Sequence, residues 1–586
     1  MVFPKKWILS YLVCFLLSET SNSGKFEIMK KTQEKNETLI LQIFITVVAL
    51  LFGGFYEFVS CLATIGFGVY LFWITHRRKE ICLFWNSSII LAIVLLVCHG
   101  LAVLWAVDSG MAFLGFLKFM PIVLFVLILM QFTEEERNRL LLSVPVSGII
   151  IIAIGILFYW VLAVREHFFM AGRFGGTFQY SNTMALYFLA GIVVIQNKIT
   201  FSIKTAAGTV VLLLGILMTG SRSVFVMTVF LMAIEAWKNR GYRLLNVGLL
   251  TVSVVGGGIY GAVTGNFQNF GRFLTISLEN STFIGRLLYW RDAFWLILRH
   301  PMGNGYMGYY YSQGQIQTGV YSTVFVHNDF LQIVLDVGWI PAILAAGVLI
   351  KHIFFTKIDV TAKMILFLIG VHSLLDFDMQ FLSICLLFFM VLEYNGGEGC
   401  QVKAQVKRAV YGITAAGVAI SLYFLFPLAS FYRGEYELAR KLYPYYTEAE
   451  LVLLQEAQTK EEGETLADSI LKRNQNAALA YDAKALACAM EEDFEGMVQY
   501  KEMAVKNNPY SIYEYVDYVS LLSRAVEYYS EKNDVKIVKV YVNQILELPD
   551  RLEDMKKRTS ELGWRIKDQP ELVLPKEVED YISNLQ

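Results

Sequence analysis

Apolar runs long enough to cross a bilayer recur through the first three quarters of this 586-residue chain. About 20 apolar residues wound as a helix span roughly 30 Å of hydrocarbon, with the backbone groups bonded within the segment. The runs lie near 39–57, 58–75, 87–105, 111–131, 141–163, 183–196, 203–219, 223–238, 244–263, 330–350, 361–376, 379–394 and 409–430. Apolar residues make up 56% of the chain and charged residues 17%, against roughly 25% charged in a soluble domain. A purely soluble enzyme and a disordered chain are excluded. The expected fold is all-α, a polytopic bundle of about 12–13 transmembrane spans.

The formal net charge of −1 conceals a division. Residues 1–431 carry 30 Lys and Arg against 21 Asp and Glu, a net of +9, and residues 432–586 carry 20 against 30, a net of −10. This sets the domain boundaries: a membrane domain over 39–431 and a separate helical appendage over 432–586. Residues 1–38 form an N-terminal cytoplasmic segment. Within it, Lys5-Lys6 and the apolar stretch 7–17 resemble a secretory signal peptide. Met29-Lys30-Lys31 is an alternative start that would make 1–28 an extension of the gene model. The acidic appendage argues against nucleic acid as a partner and against adhesion to anionic lipid.

Lysine and arginine fix the orientation, because cytoplasmic loops carry their excess. Clusters at His76–Lys79, Arg137–Arg139, Lys198–Lys204, Lys238–Arg243, Lys351–Lys363 and Lys403–Arg408 fall on every second connection. The N-terminus is then cytoplasmic. The outside set is 106–110, 164–182, 220–222, the long loop 264–329, 377–378 and everything after 431. The long loop is rich in Gly, Tyr and Trp and poor in Glu and Lys, which predicts a partly structured lid. Seven scattered cysteines form no CxxC and no Cys/His zinc spacing, so neither a disulfide framework nor a structural metal is expected.

Ionisable and polar groups at the outer ends of spans are costly and mark function. Arg222, in the turn Gly220-Ser221-Arg222-Ser223, is not a positive-inside charge. A guanidinium there suits bidentate capture of a phosphate, with Ser221 as a further donor. The bland alternative is an arginine snorkelling to headgroups. Arg286 and Tyr289 lie in a segment, 286–299, with helical apolar spacing, which places Arg286 in its first turn. His327, followed by Asn328 and Asp329, ends the long loop. It is a candidate general base or simply an interface histidine. Arg173 with Asn182, read as a helix cap, and Asp376 near His372 complete the set. Gly303, Gly305 and Gly308 follow no strand and form no dinucleotide motif.

Asn476 to Pro509 has the length and small-residue pattern of a tetratricopeptide-like helix pair, with a turn at Glu491-Glu492-Asp493. The 34 residues before it look like a weaker copy.

Taken in order, GSRS at 220–223, GRLLYWRDAFWLILRHPMGNGYMGYY at 285–310 and HNDFLQIVLDVGWI at 327–340 resemble the hallmarks of the O-antigen ligase and O-antigen polymerase superfamily. RFGGTFQYSN at 173–182 and HSLLDFD at 372–378 resemble its flanking motifs. The resemblance implies a membrane glycosyltransferase in the bacterial cytoplasmic membrane. It would be inverting and metal-independent, need no cofactor, and take its donor glycan from undecaprenyl diphosphate. It implies diphosphate binding by Arg222 and Arg286, and activation of the acceptor hydroxyl by His327. Arg173, Asn182, Ser221, Tyr289, Asn328 and Asp376 are the further substrate-binding candidates. No GxxxxGKS or GxxxxGKT loop is present, so the energy comes with the substrate. Polysaccharide polymerase is the first reading, and ligation to a lipid, cell-wall or protein acceptor is the alternative. A lipid-linked glycan transporter comes third, since most spans carry no charge. The appendage is a docking module for acceptor glycan or a protein partner.

Overall fold

A computed structural model describes residues 22–200, 202–238, 240–265, 281–394, 404–566 and 570–585. Among the described residues the chain is all-α apart from one two-residue hairpin, Phe169–Met170 paired antiparallel with Arg173–Phe174. It is a polytopic membrane protein. Among the described residues, five helices have the length and apolar composition to cross a bilayer: Glu57–Arg78, Ser109–Leu129, Glu134–Tyr159, Asn246–Val263 and Ala404–Tyr432. Shorter apolar helices fill in between, among them Ser87–Ala102, Ile203–Thr219, Trp339–Phe355 and Val360–His372. The helix Asn22–Leu50 runs straight through position 38, so the sequence boundary there marks no break in structure.

One helix is apolar on every side. In Ser181–Lys198, all residues from Thr183 to Ile195 are buried, as a helix at the centre of a bundle must be. It packs on Ser143–Tyr159, Ile203–Thr219 and Val360–His372. Small residues allow the close approach that association in lipid depends on. A Cβ on Gly215 would lie 2.5 Å from Ile152 and 2.9 Å from Phe188.

The run 330–350 is not one span. Gly338 adopts φ +87° and divides it into Asp329–Val337 and Trp339–Ile350. Hydropathy passes smoothly over a glycine, so the run reads as continuous. The backbone turns because Gly338 and Gly303 each sit where a side chain would strike main chain. A Cβ on Gly338 would be 2.8 Å from the Pro301 carbonyl oxygen, and one on Gly303 would be 2.6 Å from the Asp336 backbone. The loop segment 301–305 is thereby seated against the half-helix Asp329–Val337.

The two ends of the bundle differ in chemistry. At one end Arg78 pairs with Glu37 at 2.6 Å and Glu136 at 2.8 Å, and Lys198 pairs with Asp359 at 3.0 Å. Glu57, Asp108, Arg173, the 220–223 turn, Arg286, His327 and Asp376 lie toward the other end, where the C-terminal region also packs. Helix Glu57–Arg78 joins the ends, with its acid at one and its arginines at the other.

The C-terminal region is a series of antiparallel helices, and it is no detached appendage. Tyr443 Oη donates to the Gly110 carbonyl oxygen at 2.9 Å, and Asn474 Nδ2 to Asp108 Oδ2 at 3.2 Å. Ser560 N donates to the Thr318 carbonyl oxygen at 2.8 Å. Leu562 and Ile566 join Ile284, Leu288 and Tyr321 in one apolar cluster. Hydropathy could not show this docking, because its hydrogen bonds and apolar contacts join residues far apart in the chain. The helices Ala478–Met490 and Phe494–Asn507 meet at the turn 491–493.

Candidate active site

The site is organised by a carboxylate. Asp376 lies in the turn after helix Val360–His372 and is almost wholly buried. Its Oδ1 accepts from Tyr180 Oη at 2.6 Å, from His327 Nδ1 at 3.2 Å and from the Phe377 backbone N–H at 3.1 Å. Its Oδ2 accepts from Asn182 Nδ2 at 2.8 Å and from Arg286 Nη2 at 3.0 Å. Burial opposes the charged form, yet the Arg286 guanidinium and the His327 hydrogen bond hold this carboxyl well below the usual carboxylate range. Burial and the same carboxylate push the Tyr180 phenol well up, so Tyr180 stays a donor.

Each partner reaches Asp376 by a local device. Arg286 stands in the second turn of helix Ser281–Arg299, one turn later than the sequence spacing predicts, because the helix starts at Ser281. Tyr289, three residues on, lies beside it on the same face. His327 takes φ +54°, a left-handed conformation uncommon for histidine, and so marks a constrained position. Trp290 Nε1 donates to the Val326 carbonyl at 3.1 Å and to that of His327 at 3.3 Å, fixing the backbone there. The imidazole sits edge-on to Phe377, with ring centroids 4.9 Å apart. Asn328 is occupied structurally: its Oδ1 caps helix Asp329–Val337, and its Nδ2 donates to the Leu374 carbonyl at 3.0 Å.

Asn182 does not cap the following helix. Tyr180 occupies the cap position, and Asn182 bridges Arg173 to Asp376. Arg173 also donates through Nε to the Thr219 carbonyl at 2.9 Å, closing the end of helix Ile203–Thr219. Gly220, at φ +60°, then turns the chain into the helix that Arg222 opens. Ser223 Oγ lies 3.2 Å from His372 Nε2, and His372 Nδ1 donates to Asp378 Oδ2 at 2.6 Å. Thr183 Oγ1 donates to Asp378 Oδ1 at 2.6 Å. The turn carrying Arg222 and Ser221 is thus tied to the turn carrying Asp376. Ser221 is buried, and Arg222 is half-buried.

Two groups are left poised. Among the described residues, Arg286 Nε is buried without a hydrogen-bond partner, although Nη2 is engaged. His327 uses Nδ1 on Asp376, so its Nε2 is the free basic atom when the ring is neutral. A buried donor with no partner is costly, and a ligand oxygen would satisfy it.

Residues 207–346 match the family model described as O-antigen ligase. Over this stretch the chain is similar to the O-antigen ligase family. No curated protein and no solved structure matches it significantly. The matched segment holds Arg222, Arg286 and His327, while Arg173, Asn182 and Asp376 lie on either side of it. The matched segment and the rest of the bundle therefore both contribute residues to the Asp376 cluster.

A second buried cluster, which no motif marks, lies beside the Asp376 site. Lys118, in the middle of helix Ser109–Leu129, donates to Tyr306 Oη at 3.2 Å. Tyr306 and Tyr432 donate to Glu57 at 2.6 and 3.0 Å. The Lys118 ammonium also faces the rings of Phe55 and Tyr306, at 4.7 and 5.1 Å. A lone lysine inside an apolar run was the available signal. Tyr180 and Thr183, by contrast, carry none.

Proposed function

We propose that the protein transfers a glycan from undecaprenyl diphosphate to an acceptor hydroxyl at the outer face of the bacterial cytoplasmic membrane. The transfer is inverting and metal-independent, and polysaccharide polymerase is the first reading. The observation that supports it best is the single carboxylate, Asp376, holding both Arg286 and His327. One group can neutralise a leaving diphosphate and the other can take a proton.

The chemistry follows from that pairing. The acceptor oxygen attacks the anomeric carbon on the face opposite the diphosphate. The bond from that carbon to the diphosphate oxygen breaks, and undecaprenyl diphosphate leaves with the electron pair. His327 Nε2 takes the acceptor's proton while Asp376 steadies the resulting imidazolium. Arg286 and Arg222 stabilise the charge that grows on the leaving group, and arginines fixed in advance do so without reorganisation. The arginine and lysine at the opposite end of the bundle, Arg78 and Lys198 among them, support placing this site outside.

Reconstitution with a defined undecaprenyl-diphosphate glycan tests the reading. A ladder of products marks a polymerase, and transfer of a single block marks a ligase. Movement of the lipid-linked glycan across the bilayer without a new glycosidic bond overturns the proposal.

A further inference from the structure

A cavity of about 500 Å³ opens between the loop segment 310–322 and the C-terminal helices. It lies outside the Asp376 site. Its walls combine the rings of Tyr310, Tyr311 and Tyr321 with the carboxamides of Gln455, Asn476 and Asn508. Among the described residues no lysine or arginine lines it, and Glu448 is its one carboxyl group. Aromatic faces covering the C–H faces of a pyranose, with carboxamides that both donate and accept toward its hydroxyls, suit an uncharged sugar. A diphosphate would find no counter-charge here.

Three features show a built cavity. The Tyr311 hydroxyl, on its wall, is buried with no hydrogen-bond partner among the described residues, and Tyr311 is only 7% exposed. The two walls are also held together. Gln315 Nε2 donates to Asn476 Oδ1 at 2.7 Å, and a Cβ on Gly314 would fall 1.7 Å from the Asn507 carbonyl oxygen. Finally, a run of aromatic rings links the cavity wall to His327. The Tyr321 ring lies 4.7 Å from that of Tyr289, and Tyr289 lies 6.0 Å from His327.

We infer that this cleft binds the acceptor as an uncharged oligosaccharide, with the C-terminal helices forming half of the subsite, and leads its terminal hydroxyl past Tyr289 to His327. The direction toward His327 rests on the transfer reaction proposed above, whereas binding in the cleft does not.

The test uses the full chain in lipid nanodiscs. The probe is the repeat-unit oligosaccharide released by mild acid from the lipid-linked glycan of the cells that make the protein, so it carries no diphosphate. Calorimetry gives its Kd, and the transfer assay gives the acceptor KM. Tyr310→Ala with Gln455→Ala removes one ring and one carboxamide that hold no hydrogen bond in the fold. The double variant is expected to weaken Kd and raise KM about tenfold or more, while donor binding stays at the wild-type level. Arg286→Ala is expected to keep the wild-type Kd. The inference is overturned if the oligosaccharide does not bind, if the double variant binds it as wild type does, or if polyphosphate binds in its place. Binding in the cleft without any transfer by the wild-type protein would instead overturn the proposed reaction and leave the subsite standing.

Discussion

At the residue scale the account rests on Asp376. Its carboxylate gathers donors from positions 180, 182, 286 and 327, which no window of sequence brings together. Replacing it by Asn keeps the shape but removes the charge that orients Arg286 and His327. Asp376→Asn is expected to lower the transfer rate by about 10²–10⁴-fold, read in single-turnover assays on folded protein. The sign of its pH effect follows from the lowered pKa. A carboxyl whose folded value is depressed contributes stability that is fully present above its unfolded value and is lost as pH falls through the folded value. The wild type should therefore lose this contribution only below the ordinary carboxylate range, and Asp376→Asn should lack it at neutral pH, as thermal melts in detergent would show. Arg222→Ala is expected to cost about 10²–10³-fold in rate, with partial rescue by Arg222→Lys, because an ammonium cannot grip a phosphate bidentately.

At the element scale, what the sequence makes legible is what repeats locally. Apolar runs give helices, and Arg286 with Tyr289 share one helix face, so both are visible along the chain. Closure in three dimensions is not visible there. Asp376 reaches Tyr180 across 196 positions. The carboxamide of Asn182 looks like a cap and serves as a bridge. Lys118 was visible as a charge in an apolar run, but not its partners Glu57 and Tyr306. The break at Gly338 is hidden because hydropathy does not register a positive φ. Gly338→Ala would force a Cβ to 2.8 Å from the Pro301 oxygen at φ +87°, a strain of about 1–3 kcal/mol. A clear drop in melting temperature is expected. A wild-type melt would show that the break is not fixed by the fold.

For the whole molecule, the split between a net +9 portion and a net −10 portion is a split of surface charge rather than of structure. The acidic helices pack on the loop segment 310–322, and Leu562 and Ile566 share an apolar cluster with Ile284, Leu288 and Tyr321. Removing 432–586 is therefore expected to expose the loop to protease and depress transfer together. Glu448 reports the same closure. Burial, with Glu57 and Asp108 nearby and only Lys118 opposing, raises its carboxyl from 4.5 to about 8. The folded state then holds a proton that the unfolded state releases, so stability falls as pH rises from about 4.5 toward 8. Melting temperatures from pH 5 to 9 should decline less steeply in Glu448→Gln than in the wild type.

The central claim is that Arg286 and His327, held by Asp376, carry out an inverting transfer. Its most direct measurement is single-turnover transfer from a defined undecaprenyl-diphosphate glycan in nanodiscs, with the anomeric configuration of the new bond read by NMR. The account requires an inverted linkage from the wild type and a rate about 10²-fold lower or less in both Arg286→Ala and His327→Ala. A retained configuration, or a wild-type rate from either variant, would contradict it.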